Sequence, residues 1–229
     1  MISYRKLAMR VLGHSPVSAV KTARRSTGKC AAALALTAAL VVGMTLPAFA
    51  QDWYIDAGDI SISAGENGNN VTQNGTTTTD PTDTVIKSKG SSSNTVTIHA
   101  DEGKTVNVTL DNVNIDTSKT GKAAVSVTGS GNTNIELNGN NTLTSGGWHA
   151  GLEHNKEKDS NRNETSGTLT ITDTDKNGSL TANGSSGGAG IGGANFKDAG
   201  KLEITGGTIN ATGSNGGAGI GGGDQGGDA

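Results

Sequence analysis

Beyond residue 50 the chain contains no cysteine and no methionine, since Cys30 and all three Met precede that point. No disulfide can therefore staple this part of the chain, although an oxidising compartment would permit one, and no thiol is available as a nucleophile. Arginine is nearly missing as well, Arg162 being the only one after residue 50. Seven of the 18 Lys and Arg lie in residues 1–29, which leaves eleven cations against 21 acids, a net charge of −10 over residues 51–229. So acidic a chain is a poor ligand for phosphate backbones, which argues against a nucleic-acid partner. Aromatics shrink to Trp53, Tyr54, Trp148 and Phe196, while glycine rises to 33 of 179 residues, well above the usual share of about 7%. Little apolar surface is then left to offset chain entropy. Such a composition means disorder or a linker unless a strict repeat organises it.

The first 50 residues read as a leader. Arg5, Lys6, Arg10, Lys21, Arg24, Arg25 and Lys29 precede an apolar run from Ala31 to Leu46, and no Asp or Glu occurs before Gln51. The run ends at Ala48-Phe49-Ala50, a small-x-small site, so residues 1–50 are predicted to be a secretory signal cleaved after Ala50. Sixteen apolar-run residues fall short of the roughly 20 that a membrane span needs. Thr27 stands where a twin-arginine motif wants a large apolar residue, which favours the general secretory route. A secreted or cell-surface location follows, with no transmembrane segment once the signal is removed.

A repeat is present. Val108-Thr-Leu110, Ile115-Asp-Thr117 and Ala123-Ala-Val125 form one copy; Ile135-Glu-Leu137, Leu143-Thr-Ser145 and Ala150-Gly-Leu152 form the next. Leu169-Thr-Ile171, Leu180-Thr-Ala182 and Ala189-Gly-Ile191 follow, then Leu202-Glu-Ile204, Ile209-Asn-Ala211 and Ala218-Gly-Ile220. Taken at Leu110, Leu137, Ile171 and Ile204, the copies are 27, 34 and 33 residues apart. Each pair has the period of a strand with one face buried, and Asn, Gly, Asp and Ser between pairs turn the chain. Three short strands per copy describe one coil of an all-β parallel β-helix, a β-solenoid of about four to six coils. Stacked coils would align Leu110, Leu137, Ile171 and Ile204 in one interior ladder. An unfolded glycine-rich stalk and an antiparallel sandwich remain alternative architectures. Residues 51–106 read as irregular N-terminal capping coils, with Thr76–Asp83 as an outward loop. Residues 107–229 read as the repeats, incomplete at the C-terminus and continued by further C-terminal domains.

Three groups of residues invite a functional reading. Gly188-Ala-Gly190-Ile-Gly192-Gly193 and its recurrence at Gly217–Gly222 have dinucleotide-loop spacing, but a strand follows where a helix is needed. They read as structural. Asp173-Thr-Asp175-Lys-Asn177-Gly178 resembles the opening of a calcium loop, with oxygen ligands at alternate positions. Gly184 stands where the closing Glu would be, so an ordinary Asn-Gly turn accounts for the same residues unless a neighbouring coil completes the site. Trp148, His149, Glu153 and His154 surround one turn of the second copy. An exposed indole edged by hydrogen-bonding groups suits flat sugar rings; the alternative is a Trp148 that merely covers its loop. No carboxylate pair or nucleophile–base pair can be placed on one face, so the chain is not read as an enzyme.

The run Val108-Thr-Leu110-Asp-Asn-Val113-Asn-Ile115 and the later Gly-Gly-Ala-Gly-Ile-Gly-Gly endings resemble the secreted carbohydrate-binding β-helix family of Gram-positive bacteria, over roughly residues 55–223. The resemblance implies a right-handed helix at the cell surface that binds polysaccharide without cleaving it and carries calcium. Autotransporter-type adhesins share that architecture. A polysaccharide-binding surface module is thus the expectation, with a structural stalk or adhesin passenger, or a fragment of a lyase or hydrolase, as the alternatives.

Overall fold

Runs of alternating apolar and polar residues satisfy a strand that buries one face only, and they become strands here. A computed structural model describes residues 51–81 and 83–226, with no α-helix among them. The signal expected at residues 1–50 lies outside the described residues. No helix among them is long and apolar enough to cross a membrane.

The N-terminal part contributes β1 (Asp52–Tyr54), β2 (Ile60–Ala64), β3 (Asn69–Gln73), β4 (Thr76–Asp80), β5 (Thr84–Lys87) and β6 (Val96–His99). Four successive triplets follow. They are β7 (Thr105–Asp111), β8 (Asn114–Asp116) and β9 (Val125–Thr128); then β10 (Asn132–Asn138), β11 (Asn140–Thr144) and β12 (Leu152–Glu153). The last two are β13 (Thr168–Thr172), β14 (Ser179–Asn183) and β15 (Ile191–Gly192), and β16 (Lys201–Ile204), β17 (Thr208–Thr212) and β18 (Ile220–Gly221). The chain deals these strands in rotation to three sheets, ordered β1-β5-β7-β10-β13-β16, β8-β11-β14-β17 and β4-β3-β2-β6-β9-β12-β15-β18. Every pairing between triplets is parallel. The protein is therefore all-β with parallel sheets.

Two antiparallel pairings, β2 with β3 and β3 with β4, break the rule near the start. Thr76–Asp80, expected as an outward loop, is instead a hairpin strand. Asn74 and Gly75 both have positive φ, 52° and 75°, which matches the right-handed twist of the strands they join, and a run of threonine suits a pleated, half-exposed surface. Asp80 turns inward and accepts a hydrogen bond from the Trp53 indole at 3.1 Å.

Inward side chains stack from one triplet of strands to the next. In the first sheet Trp53, Ile86, Leu110 and Leu137 are in register, as are Thr84, Val108, Ile135, Ile171 and Ile204. The expected ladder of Leu110, Leu137, Ile171 and Ile204 is thus cut by a two-residue slip after Leu137. Its partner in the next coil would be Asp173, but there the chain bulges out through Asp173–Gly178 before β14 begins. Gly178 and Gly207 close over Leu137 instead: a Cβ on Gly178 would lie 2.5 Å from the Leu137 Cβ, and one on Gly207 2.7 Å from its Cδ1. The second sheet slips likewise, with Leu143 opposite Ala182 and Asn141 opposite Leu180. The third runs as expected through Val125, Leu152, Ile191 and Ile220.

Most of these apolar side chains are fully buried, each stabilising by roughly 1.5–3 kcal/mol relative to exposure. Three buried polar residues are satisfied locally. Asn141 accepts the Val113 N–H at 2.9 Å and donates to the Asn138 and Ser179 carbonyls. Thr117 and Ser145 each donate to carbonyls of the turn that follows them and of the neighbouring coil. In the last coil Ile204 and Ile220 are 38% and 48% exposed, because among the described residues no strand covers β16, β17 or β18.

Candidate functional site

The turn before β12 is tied down on both sides. Gly146 donates to the Lys122 carbonyl of the coil before it at 2.9 Å. From the coil after it, Ser185 donates to the His149 carbonyl at 3.1 Å and Asn195 to the Trp148 carbonyl at 2.8 Å. Gly147 supplies a φ of 62°, which an L side chain rarely adopts. Out of this fixed backbone the Trp148 side chain projects 69% exposed. An indole so exposed does not cover its own loop.

Behind it runs a hydrogen-bonded chain. The His149 imidazole Nδ1 lies 2.7 Å from Glu153 Oε2, which also accepts the Ala150 N–H at 3.3 Å. Asn155 donates to Glu153 Oε1 at 3.0 Å and accepts the Ala194 N–H at 2.8 Å. Glu153 is nearly buried and His149 half exposed. The carboxylate orients the imidazole through Nδ1, which leaves Nε2 for an outside hydrogen-bonding group. His154 does not join this rim. It is buried, its ring nitrogens facing the Val127 and Gly167 carbonyls at 3.2 and 3.0 Å.

The glycine-rich segments let neighbouring backbones approach closely. A Cβ on Gly188 would lie 2.1 Å from the His149 carbonyl oxygen, and Gly192 has a φ of 127° with a Cβ position 2.1 Å from the Gly221 oxygen. Close approach of backbones explains that motif without a phosphate.

A second cluster lies on the first sheet's outer side. Asp173 and Asp175 come together with Glu136, a residue of β10 that the sequence reading did not name, and their ligand atoms lie within 4.8 Å of one another. Asp173 Oδ1 accepts the Asn177 and Gly178 N–H groups at 3.1 Å each. Asn177 donates its side-chain amide to Asp175 at 2.7 Å, so it faces the cluster as a donor. Glu136 accepts from the Thr174 N–H at 2.6 Å and from the Thr172 and Thr174 hydroxyls. Three carboxylates of this kind suit a hard cation such as calcium, and hydrogen bonds within the loop hold them together as drawn.

No protein-family model matches the chain, no curated protein matches it, and no solved structure matches it. The functional reading therefore rests on the geometry of these two places.

A shallow groove of about 460 Å³ runs over the outer face of the first sheet, lined by Asn107, Thr109, Asn134, Glu136, Thr172 and Thr174 among others. Val108 joins these mostly polar residues, and none of the lining side chains is aromatic. The Trp148 turn is the only place among the described residues where a wide-open indole meets an oriented hydrogen-bonding side chain.

Proposed function

We propose that this chain is a non-catalytic carbohydrate-binding module, exported to the cell surface and built as a right-handed parallel β-helix. The handedness follows from the strong preference of parallel crossover connections. The observation that carries the function is the Trp148 indole, exposed on a turn locked between two coils. An apolar ring face stacks on such an indole, and His149, oriented by Glu153, reads a hydroxyl at the rim. Calcium, in this reading, is held by Glu136, Asp173 and Asp175, with Asn177 bracing the loop, and it ties the Asp173–Gly178 bulge to β10.

The test is a glycan array probed with the mature chain, with and without a chelator. Binding to polysaccharide that Trp148→Ala abolishes supports the reading; an array with no glycan bound refutes it. Loss of binding on chelation assigns calcium a part, and binding indifferent to chelator removes it. A structural stalk or adhesin passenger is the second reading, favoured by the regular stacking of coils whose outer faces are mostly polar.

A further inference from the structure

Phe196 is the other large aromatic side chain left in the open, 63% exposed. Its backbone sits at a φ of 61°, in the left-handed region that a bulky residue rarely occupies. The matching position of the last coil holds Gln225 with a φ of 57°, so the turn itself does not require an aromatic. Strain of this kind collects where a side chain has a task.

The task is suggested by the stacking of turns. Asn195, next to Phe196, donates its N–H to the Trp148 carbonyl, and Phe196 donates its own to the Asp224 carbonyl, both at 2.8 Å. Phe196 is thus held between coils just as Trp148 is, on the next coil's adjoining turn. We infer that Phe196 is a second stacking platform beside Trp148, and that the two take neighbouring units of a linear chain of pyranoses with equatorial hydroxyls, β-1,4-linked glucose or N-acetylglucosamine being the type. This rests on the reading of Trp148 as a sugar platform.

The contact between the turns favours it: the Asn195 N–H on the Trp148 carbonyl brings the backbones carrying the two aromatic side chains together, where one extended chain of sugars can span both. Equatorial hydroxyls leave both ring faces apolar and place the polar edge where His149 stands. The sequence neighbours of the two rings, Gly147, His149, Asn195 and Lys197, are glycine or polar. Two isolated rings on such ground offer no continuous apolar patch for a protein partner.

The whole chain would be titrated with methyl β-glucoside, cellohexaose and chitohexaose, following the Trp148 indole signal by NMR, as wild type, Trp148→Ala, Phe196→Ala and Phe196→Tyr. For Trp148→Ala, backbone amides around His149 are followed instead. A hexaose is expected to bind more tightly than the glucoside, and Phe196→Ala to lose about tenfold of that gain, with Phe196→Tyr keeping it. Hexaose affinity unchanged in Phe196→Ala but lost in Trp148→Ala overturns the second platform and leaves the first standing. No response to any of the three probes in the wild type overturns both.

Discussion

The two-residue slip after Leu137 can be tested by a thermodynamic cycle between Leu137 and Gly207. Leu137 is fully buried. Trimming it to alanine removes three side-chain carbons, about 2.4 kcal/mol at roughly 0.8 kcal/mol each, and a cavity cost is added. The cavity is roofed by Gly178 and Gly207, which have no side chains to move into it, so the expected loss is about 3–5 kcal/mol. Gly207→Ala is also unfavourable in the wild type, for two reasons. Its φ of 88° strains any L residue, and the new Cβ would sit 2.7 Å from Leu137 Cδ1, with the next nearest atoms at 3.6 and 3.7 Å. Strain costs about 1–2 kcal/mol, and the overlap adds about 1–2 kcal/mol. In the double variant the strain remains but the overlap is gone, so the two changes should couple favourably by about 1–2 kcal/mol. Urea unfolding followed by circular dichroism gives all four corners. Additivity within about 0.5 kcal/mol would mean that Gly207 does not cover Leu137, and the register argued above would fail.

Asn141→Ala takes the acceptor from the buried Val113 N–H and one donor each from the Asn138 and Ser179 carbonyls, and should cost about 1–3 kcal/mol; a neutral result in the same unfolding assay would contradict a buried, fully bonded asparagine. Phe196→Asn should raise stability by about 0.5–1 kcal/mol, since asparagine tolerates the left-handed backbone and the exposed ring gives up little burial; a lower midpoint would mean that Phe196 packs on the protein. Asp159 is held below the ordinary aspartate range chiefly by the Asn163 backbone N–H, against which desolvation is the next largest influence, with the Asn163 side chain and the Asn161 N–H adding to the lowering. A depressed folded-state value means that its contribution is present above the usual aspartate range and lost as pH falls through the lowered value; an NMR titration of the Asn161 and Asn163 amides with a midpoint at or above that of a free aspartate would refute this.

The strands were legible because burial on one face leaves period two in the sequence, and pairs such as Leu202-Glu-Ile204 and Leu180-Thr-Ala182 carry it cleanly. Register was not, and the reason is chemical. Leu169-Thr-Ile171 matches Ile135-Glu-Leu137 by hydrophobicity, yet its true partners are Thr133, Asn134 and Ile135. Thr133 is fully buried, its hydroxyl without a hydrogen-bond partner, and in the column between Val106 and Leu169 it acts as an isostere of valine. Asn141 hides the equivalent slip in the second sheet by replacing an apolar side chain with three local hydrogen bonds. One polar residue at an inward position is enough to shift an alignment by two, because a shift of two keeps every side chain on its own face.

The candidate site divides along the same line. Trp148, His149 and Glu153 lie within one turn and its strand, so chain proximity alone brought them together. Glu136 and Phe196 could not be found that way. Glu136 reaches Asp173 and Asp175 only because β13 pairs with β10, and Asn195, beside Phe196, reaches the Trp148 carbonyl only because the turn after β15 meets the turn before β12. Where successive strand triplets pair in parallel sheets, every surface site has one axis along the chain and another across the strands. The first is written in local sequence; the second depends on register and on which turns bulge. A ligand chain lying across the strands would read the second axis, so the residues that set its affinity are the ones least visible in the linear sequence.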